Sequence, residues 1–288
     1  MFDLTSLIKR NIKIFIRDKA AVFFSFLSVI ILLSLYFLFI GRQYTSGGSF
    51  DSTPDDIKTF LSMGVIMGGV LVINTVSLSL GVMGSIVTDI DTRKLDGFLV
   101  TPVKRYKIVL SYYLSSIIVT ATLTIFMWLL TVLYVGLNGH WYSLETILIA
   151  SALVLFYTFI SSALMLFLVT MIKSVNAYGA LAGILGTVIG FMSGIYMPLD
   201  VLGAGMTKVA SLVPFTHMTI LLKQVLLKEP YALLHPDFQA GLEVPYGTIN
   251  IGVFGIDIAM PLLMLGSFGI ALILLAFAYR NMNKKMVK

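Results

Sequence analysis

The chain has 288 residues, of which 58% are hydrophobic types and only 12% are charged, against roughly half and a quarter in soluble domains. At a mean hydropathy of +0.97, composition excludes an ordinary soluble domain, which would expose large apolar patches, and points to a bilayer. The formal charge is +6, and the lack of cysteine excludes disulfides, thiolate metal sites and cysteine nucleophiles.

Residues 1–19 read as an amphipathic unit. Leu4, Leu7, Ile8, Ile12, Phe15 and Ile16 share one helical face, and Lys9, Lys13 and Arg17 line another at i, i+4 steps. This predicts a helix lying in the membrane interface, apolar side in lipid and basic side toward anionic headgroups. The remainder, 20–288, reads as one membrane domain. Its six apolar runs are Ala20–Ile40, Phe60–Val87, Ile108–Val135, Thr146–Ile172, Ala177–Met197 and Ile258–Tyr279. Each reaches the roughly 20 residues that cross about 30 Å of hydrocarbon. None contains Asp, Glu, Lys, Arg or His. The expected fold class is all-α integral membrane with six transmembrane helices.

Orientation follows from lysine and arginine. With the N-terminus in the cytoplasm, the inner segments carry fifteen of these residues and the outer segments five, so both termini are expected inside. The charge is confined to short loops, which fits a plasma-membrane protein and gives no reason to expect a nucleic-acid partner. Gly41-Arg42-Gln43 is a poor cleavage site, so the first run is expected to be a permanent span.

Residues 198–256 form the longest polar stretch, on the expected outer side. Val201–Leu212 and Thr216–Leu227 read as two short helices around Pro214, too short to span, which suggests a re-entrant hairpin before the sixth span. Glu229–Gly255 carries Pro230, Pro236, Pro245, Gly241, Gly247 and Gly252. It reads as a turn-rich cap with one short hairpin of strands. The first outer loop, Gly41–Thr59, reads as turn-rich too.

Catalytic signals are weak. His140, His217 and His235 lie far apart in sequence, none with a partner at metal-ligand spacing, so no metal site or catalytic residue is assigned. The spans lack the ionisable groups that ion-driven transporters use, and no G-x-x-x-x-G-K-[ST] loop is present to bind ATP. Energy for any pumping would then arrive from another chain at the cytoplasmic face. The expected point of arrival is the inner loop Thr88–Arg105. An amphipathic coupling helix is predicted over Asp89–Leu99, with Ile90, Leu95, Phe98 and Leu99 on its apolar side and Pro102 beyond its end.

That loop resembles the corresponding loop of type-2 ABC exporter permeases, whose common form is E-R-E-x-G-T-x-x-x-L-x-x-T-P. Asp91, Arg93, Asp96, Leu99, Thr101, Pro102 and Arg105 echo it. The sequence departs from it at the second Glu and the Gly-Thr, with Gly97 sitting later beside Asp96. Ser193–Asp200, then Leu212–His217, then Leu222–Val225 resemble the family's G-x-x-x-P, x-P-x-x-H and R-x elements, Lys223 standing where Arg is common. The resemblance covers nearly the whole chain. It implies a homodimer or pseudo-dimer in the membrane, with a second permease copy and two copies of an ATPase subunit. ATP and magnesium would sit on the ATPase, leaving this chain without a cofactor. It also implies that Asp91, Arg93, Lys94, Asp96 and Phe98 make the ATPase contact, flanked by Arg10 and Arg17. Drugs, peptide antibiotics and cell-envelope lipids are the cargo it suggests.

Uncharged polar residues cluster on the second, third and fourth spans, and Asn74, Ser115 and Thr122 are candidates to line a path. Helix–helix hydrogen bonding explains such residues equally well. Gly179, Gly183, Gly186, Gly190 and Gly194 sit mostly four apart, a spacing that lets helices approach closely. They suit either a dimer seam or packing on the second span, which carries Gly64, Gly68 and Gly69. The abundant Met and aromatic residues read first as lipid-facing surface, and Trp141 and Tyr142 as interfacial anchors. Two rival functions remain open from sequence: a membrane enzyme acting on lipid or polysaccharide precursors, which needs His217 to meet Asp200 or Asp257, and a sensory or scaffold protein.

Overall fold

The computed structural model of the chain describes residues 2–23, 27, 53–194, 196, 199, 201 and 203–286. The expected first span, Ala20–Ile40, and the loop Gly41–Thr59 fall mostly outside these residues. Among the described residues the structure is helical. In chain order the helices are α1 (Phe2–Arg17), α2 (Asp55–Asp91), α3 (Lys94–Leu99), α4 (Arg105–Leu137), α5 (Leu144–Met171), α6 (Val175–Met192), α7 (Gly203–Ala210), α8 (Pro214–Ala232), α9 (Pro236–Tyr246) and α10 (Met260–Lys285). Five of them, α2, α4, α5, α6 and α10, are long and apolar enough to cross a membrane.

Helix ends follow local chemistry. Ser143 caps α5 by accepting from Thr146 N at 3.2 Å, and Ser174 caps α6 by accepting from Ala177 N at 3.3 Å. Pro214 and Pro236 stand in the first turns of α8 and α9, where a missing N–H costs nothing. Gly247 closes α9 in the left-handed conformation, at φ +65. The two helices expected around Pro214 are thus present as α7 and α8. The turn-rich cap expected over Glu229–Gly255 is corrected: its middle is the 11-residue helix α9. The prolines there were read as breakers, whereas Pro236 starts a helix. Instead of a strand hairpin there is one isolated bridge, Val253 to Ile256.

Helix α2 is the centre of the bundle, surrounded by α4, α5, α6 and α8. Its most apolar stretch is 89% buried, against 22% for α10 and 17% for α6, so α2 packs on protein while α6 and α10 keep broad apolar faces outward. Helix α10 lies against α5, where Phe268 stacks on Phe156 and Phe159 with ring centroids 5.9 and 5.1 Å apart.

Many polar residues of α2, α4 and α5 turn inward and pair with one another. Thr75 and Ser161 hydroxyls lie 3.0 Å apart, Ser79 and Ser162 2.9 Å, and Ser116 and Ser162 3.1 Å. Asn74 donates to Thr124 Oγ1 at 3.3 Å. These bonds tie α2, α4 and α5 together in the interior, as helix–helix glue.

Two of the α2 glycines, Gly64 and Gly68, sit against α8. A Cβ at Gly68 would lie 2.5 Å from Lys223 Cγ and 3.0 Å from its Cα and N, and one at Gly64 would lie 2.9 Å from Leu227 Cδ2. Gly64 and Gly68 therefore admit α8, and the pairing with the α6 glycines is corrected. In α6, Gly179, Gly183 and Gly186 face open space, while Gly190 lies under the Tyr196 ring. Gly194, at φ +67, falls just beyond the helix, which stops at Met192 and not at Met197. Gly68→Ala is expected to lower the thermal stability of the purified protein, by about 1–3 kcal/mol of overpacking. Gly183→Ala, whose Cβ meets nothing, should leave the unfolding temperature in detergent unchanged or raise it.

Candidate functional site

At one end of the bundle, α1 lies across the starts of α4 and the end of α2. Leu7, Asn11 and Phe15, at i, i+4 and i+8, are its buried face. Part of the predicted apolar face, Leu7 and Phe15, thus packs on protein, where Asn11 Nδ2 also donates to Ser111 Oγ at 3.3 Å, while Leu4, Ile8 and Ile12 are half-buried and Ile16 is exposed. Lys9, Lys13 and Arg17 remain exposed.

The centre of this end is Asp89, only 3% exposed in the last turn of α2. A buried carboxylate needs partners. Arg10 supplies two, donating Nη1 to Oδ2 at 2.7 Å and Nη2 to Oδ1 at 2.9 Å. Tyr112 donates its hydroxyl to Oδ2 at 2.5 Å. Both are charge-assisted, and the arginine fork fixes direction as well as distance. Partial burial works against the Arg10 charge, but the bonds to Asp89 outweigh it and raise its pKa above the ordinary value. The same guanidinium lies 5.0 Å from the centre of the Phe98 ring. One ion pair thus joins α1, α2, α4 and the loop helix α3.

The loop differs from the predicted single helix over Asp89–Leu99. Asp89–Asp91 finish α2, where Thr92 N and Thr92 Oγ1 both bond to Thr88 O. Arg93 then takes φ +55 and breaks the run, and α3 covers Lys94–Leu99 only. Leu95 is buried, and Phe98 is half-buried under Arg10. Asp91, Arg93, Lys94 and Asp96 are exposed together on the outside of the turn. The structure therefore divides the predicted contact set. The four charged residues form an accessible polar surface, Phe98 and Arg10 brace it from behind, and Arg17 stands exposed near the end of α1.

Beside this surface lies a cavity of about 500 Å³ between α1, α2 and α6. Its walls are apolar along Ile73, Val76, Leu80, Leu185 and Ile189, and its rim near α3 carries Asp18, Thr88 and Lys94. The predicted path residues do not converge on it. Asn74 and Ser115 are fully buried among α2, α4 and α5, Ser115 donating to Tyr112 O at 2.9 Å, whereas Thr122 is exposed. The Asn74 amide oxygen has no partner among the described residues.

At the opposite end, Thr216 Oγ1 donates to Met192 O at 2.8 Å and to Ala210 O at 2.7 Å, and His217 Nε2 lies 2.8 Å from Ser211 O. The Pro214–His217 element thereby fastens the ends of α6 and α7 to α8. His217 is buried and Asp257 exposed, and Asp200 lies outside the described residues. Glu229 accepts from Ser143 Oγ at 2.6 Å and clamps the start of α5 to the end of α8. Lys223, which sequence placed on an outer segment, is buried and donates to Tyr246 O at 3.0 Å, capping α9. Among the described residues no group of three His, Asp or Glu side chains is placed to hold a metal.

Residues 3–227 match the model of the ABC-2 type transporter family. The chain belongs to that family and is the membrane permease of an ABC transporter, a kind of subunit that works with an ABC ATPase. No curated protein matches the chain.

Membership also explains what sequence reading missed. Counted back from Thr101-Pro102, the family pattern places its glycine at Arg93 and its first acid at Asp89. The loop helix predicted from sequence begins at Asp89, whereas Asp89 lies in the last turn of α2, and nothing in the sequence singles out Tyr112. The readable signal was an acid one turn before the loop with an arginine on the basic N-terminal helix. Arg93 now occupies a left-handed position that glycine adopts without strain. Arg93→Gly is expected to raise stability by roughly 1 kcal/mol, seen as a higher unfolding temperature in detergent, and no gain would mean that the turn is unstrained.

Proposed function

We propose that this permease carries an amphiphilic or lipid-like compound outward across the plasma membrane: a drug, a peptide antibiotic or a cell-envelope lipid. The observation that carries this reading is the cavity along α2, whose apolar walls and charged rim match a molecule with an apolar body and a polar head. ATP and magnesium are bound by a separate ATPase subunit, two copies serving two permeases. The termini lie in the cytoplasm, because lysine and arginine concentrate at the end that carries α1, α3 and the end of α10. That orientation turns Asp91, Arg93, Lys94 and Asp96 toward the ATPase. The open glycine face of α6 is available to a second permease copy.

Energy enters at the charged turn because the core of the spanning helices is held by hydroxyls and one amide. Asp89 is committed to Arg10 and Tyr112, and Lys223 to a carbonyl. Neither is arranged as an ion relay.

The test uses the permease purified with its ATPase subunit in proteoliposomes. Asp91→Ala combined with Asp96→Ala should cut amphiphile-stimulated ATP hydrolysis at least about tenfold, a loss of about 1.4 kcal/mol in coupling. Wild-type stimulation in the double variant would remove the turn from the coupling path.

A further inference from the structure

Helix α6 is fastened near its two ends and loose between them. Its buried residues, Ile189, Gly190 and Met192, all lie at one end, where Thr216 also grips Met192 O. Near the other end, one turn into the helix, Tyr178 reaches across to α2 and donates its hydroxyl to Leu80 O at 2.7 Å. Between these points Ala182 and Leu185 are only half-buried and, with Leu80 and Gly81 of α2, line the cavity.

The reach of Tyr178 depends on a gap in α2. A Cβ on Gly84 would lie 3.0 Å from the Tyr178 hydroxyl and 3.1–3.2 Å from its ring, tighter than ordinary contact. Glycine at 84 therefore gives the ring its seat one turn beyond the carbonyl it binds. Leu80, Gly84 and Tyr178 all line the cavity. The bridge stands between the charged rim, at Thr88 and Lys94, and the apolar walls at Ile73, Val76 and Ile189.

We infer that the Tyr178 hydroxyl is a latch: it holds α6 on α2 and limits how wide the cavity stands between its charged rim and its apolar interior. This rests on the reading of the cavity as the substrate path and adds how access to it is controlled. An amphiphile entering head-last from the rim must pass this bridge, and release of the bond to Leu80 O lets α6 move away and widens the way. The bond is single and its acceptor is a helix carbonyl that keeps its own helical partner. Opening therefore costs little and leaves no buried carbonyl without a bond. Tyr178 is a positioning residue for α6, and Gly84 is its seat.

Since the chain has no cysteine, single thiols can report on the two sides of the bridge. Val76→Cys lies beyond it and Ser85→Cys on the rim side. Each is placed in the full chain, assembled with its ATPase subunit in proteoliposomes, and treated with 2-aminoethyl methanethiosulfonate. Tyr178→Phe keeps the ring and removes only the hydroxyl. It should speed labelling at position 76 by about fivefold to tenfold, the change one lost hydrogen bond allows, and leave position 85 within about twofold. Gly84→Ala, which unseats the ring with the hydroxyl intact, should act the same way. Unchanged labelling at position 76 in both variants overturns the latch, and so does equal acceleration at both positions, which would mean general loosening. Amphiphile-stimulated ATP hydrolysis, followed on the same samples, decides the transport reading separately: its absence in the wild type removes that reading without altering the labelling result.

Discussion

A carboxylate that is almost fully buried imposes order on everything around it. Asp89 sits at the last turn of the central helix, away from water, and the bonds it accepts from Arg10 and Tyr112 fix three helices relative to one another. Without those donors the charge would be far too costly to keep there. With them, α1 cannot slide along α4, and the end of α2 cannot turn, without breaking a bidentate pair. The ring of Phe98 under the same guanidinium extends the constraint to α3. The exposed charges of the turn are thus mounted on a rigid base, which is what a surface must have if a partner is to push on it.

Stiffness at that end contrasts with the looseness of α6. The central helix is gripped by α4 and α5 through paired hydroxyls, and by α8 through the close approach at Gly64 and Gly68. Helix α6 has little such packing, and its middle shares the wall of the cavity with α2. A displacement delivered through Asp89 to α2 would move the α2–α4–α5 unit as one body and change its spacing from α6. Packed cores shift as blocks, and the weakly held element moves relative to them. The fold therefore joins a braced end of α2 to a weakly packed wall of the cavity. At the far end, Thr216, His217 and Glu229 bind α8 to the ends of α6, α7 and α5, so that end keeps the spacing while the other changes.

Much of this architecture was legible in sequence. Apolar runs of span length placed α2, α4, α5, α6 and α10 to within a few residues, because hydrocarbon thickness leaves little choice of length. The loop Thr88–Arg105 stood out by its charge between two such runs. Tertiary pairing was not legible. Gly64 and Gly68 receive α8, and nothing in their spacing distinguishes that neighbour from α6. Asp89 was hidden by its position at the junction of span and loop, where an acid normally reads as solvated. The helix α9 was obscured by its prolines: Pro236 begins it, where a missing N–H costs nothing, and Pro245 falls in its last turn. Thr122 and Ser115 lie on one helix yet face opposite environments, a difference that composition alone does not carry.

The central claim is that the Asp89–Arg10 pair acts as a unit in passing force from the ATPase to the spans. A double-mutant cycle of Arg10→Met and Asp89→Asn, read as ATP hydrolysis stimulated by amphiphile in the assembled transporter, tests it directly. If the pair is the unit, each single change impairs stimulation and the double change is no worse than the more damaging single one. Strictly additive losses would show that the two residues act independently and would contradict the account.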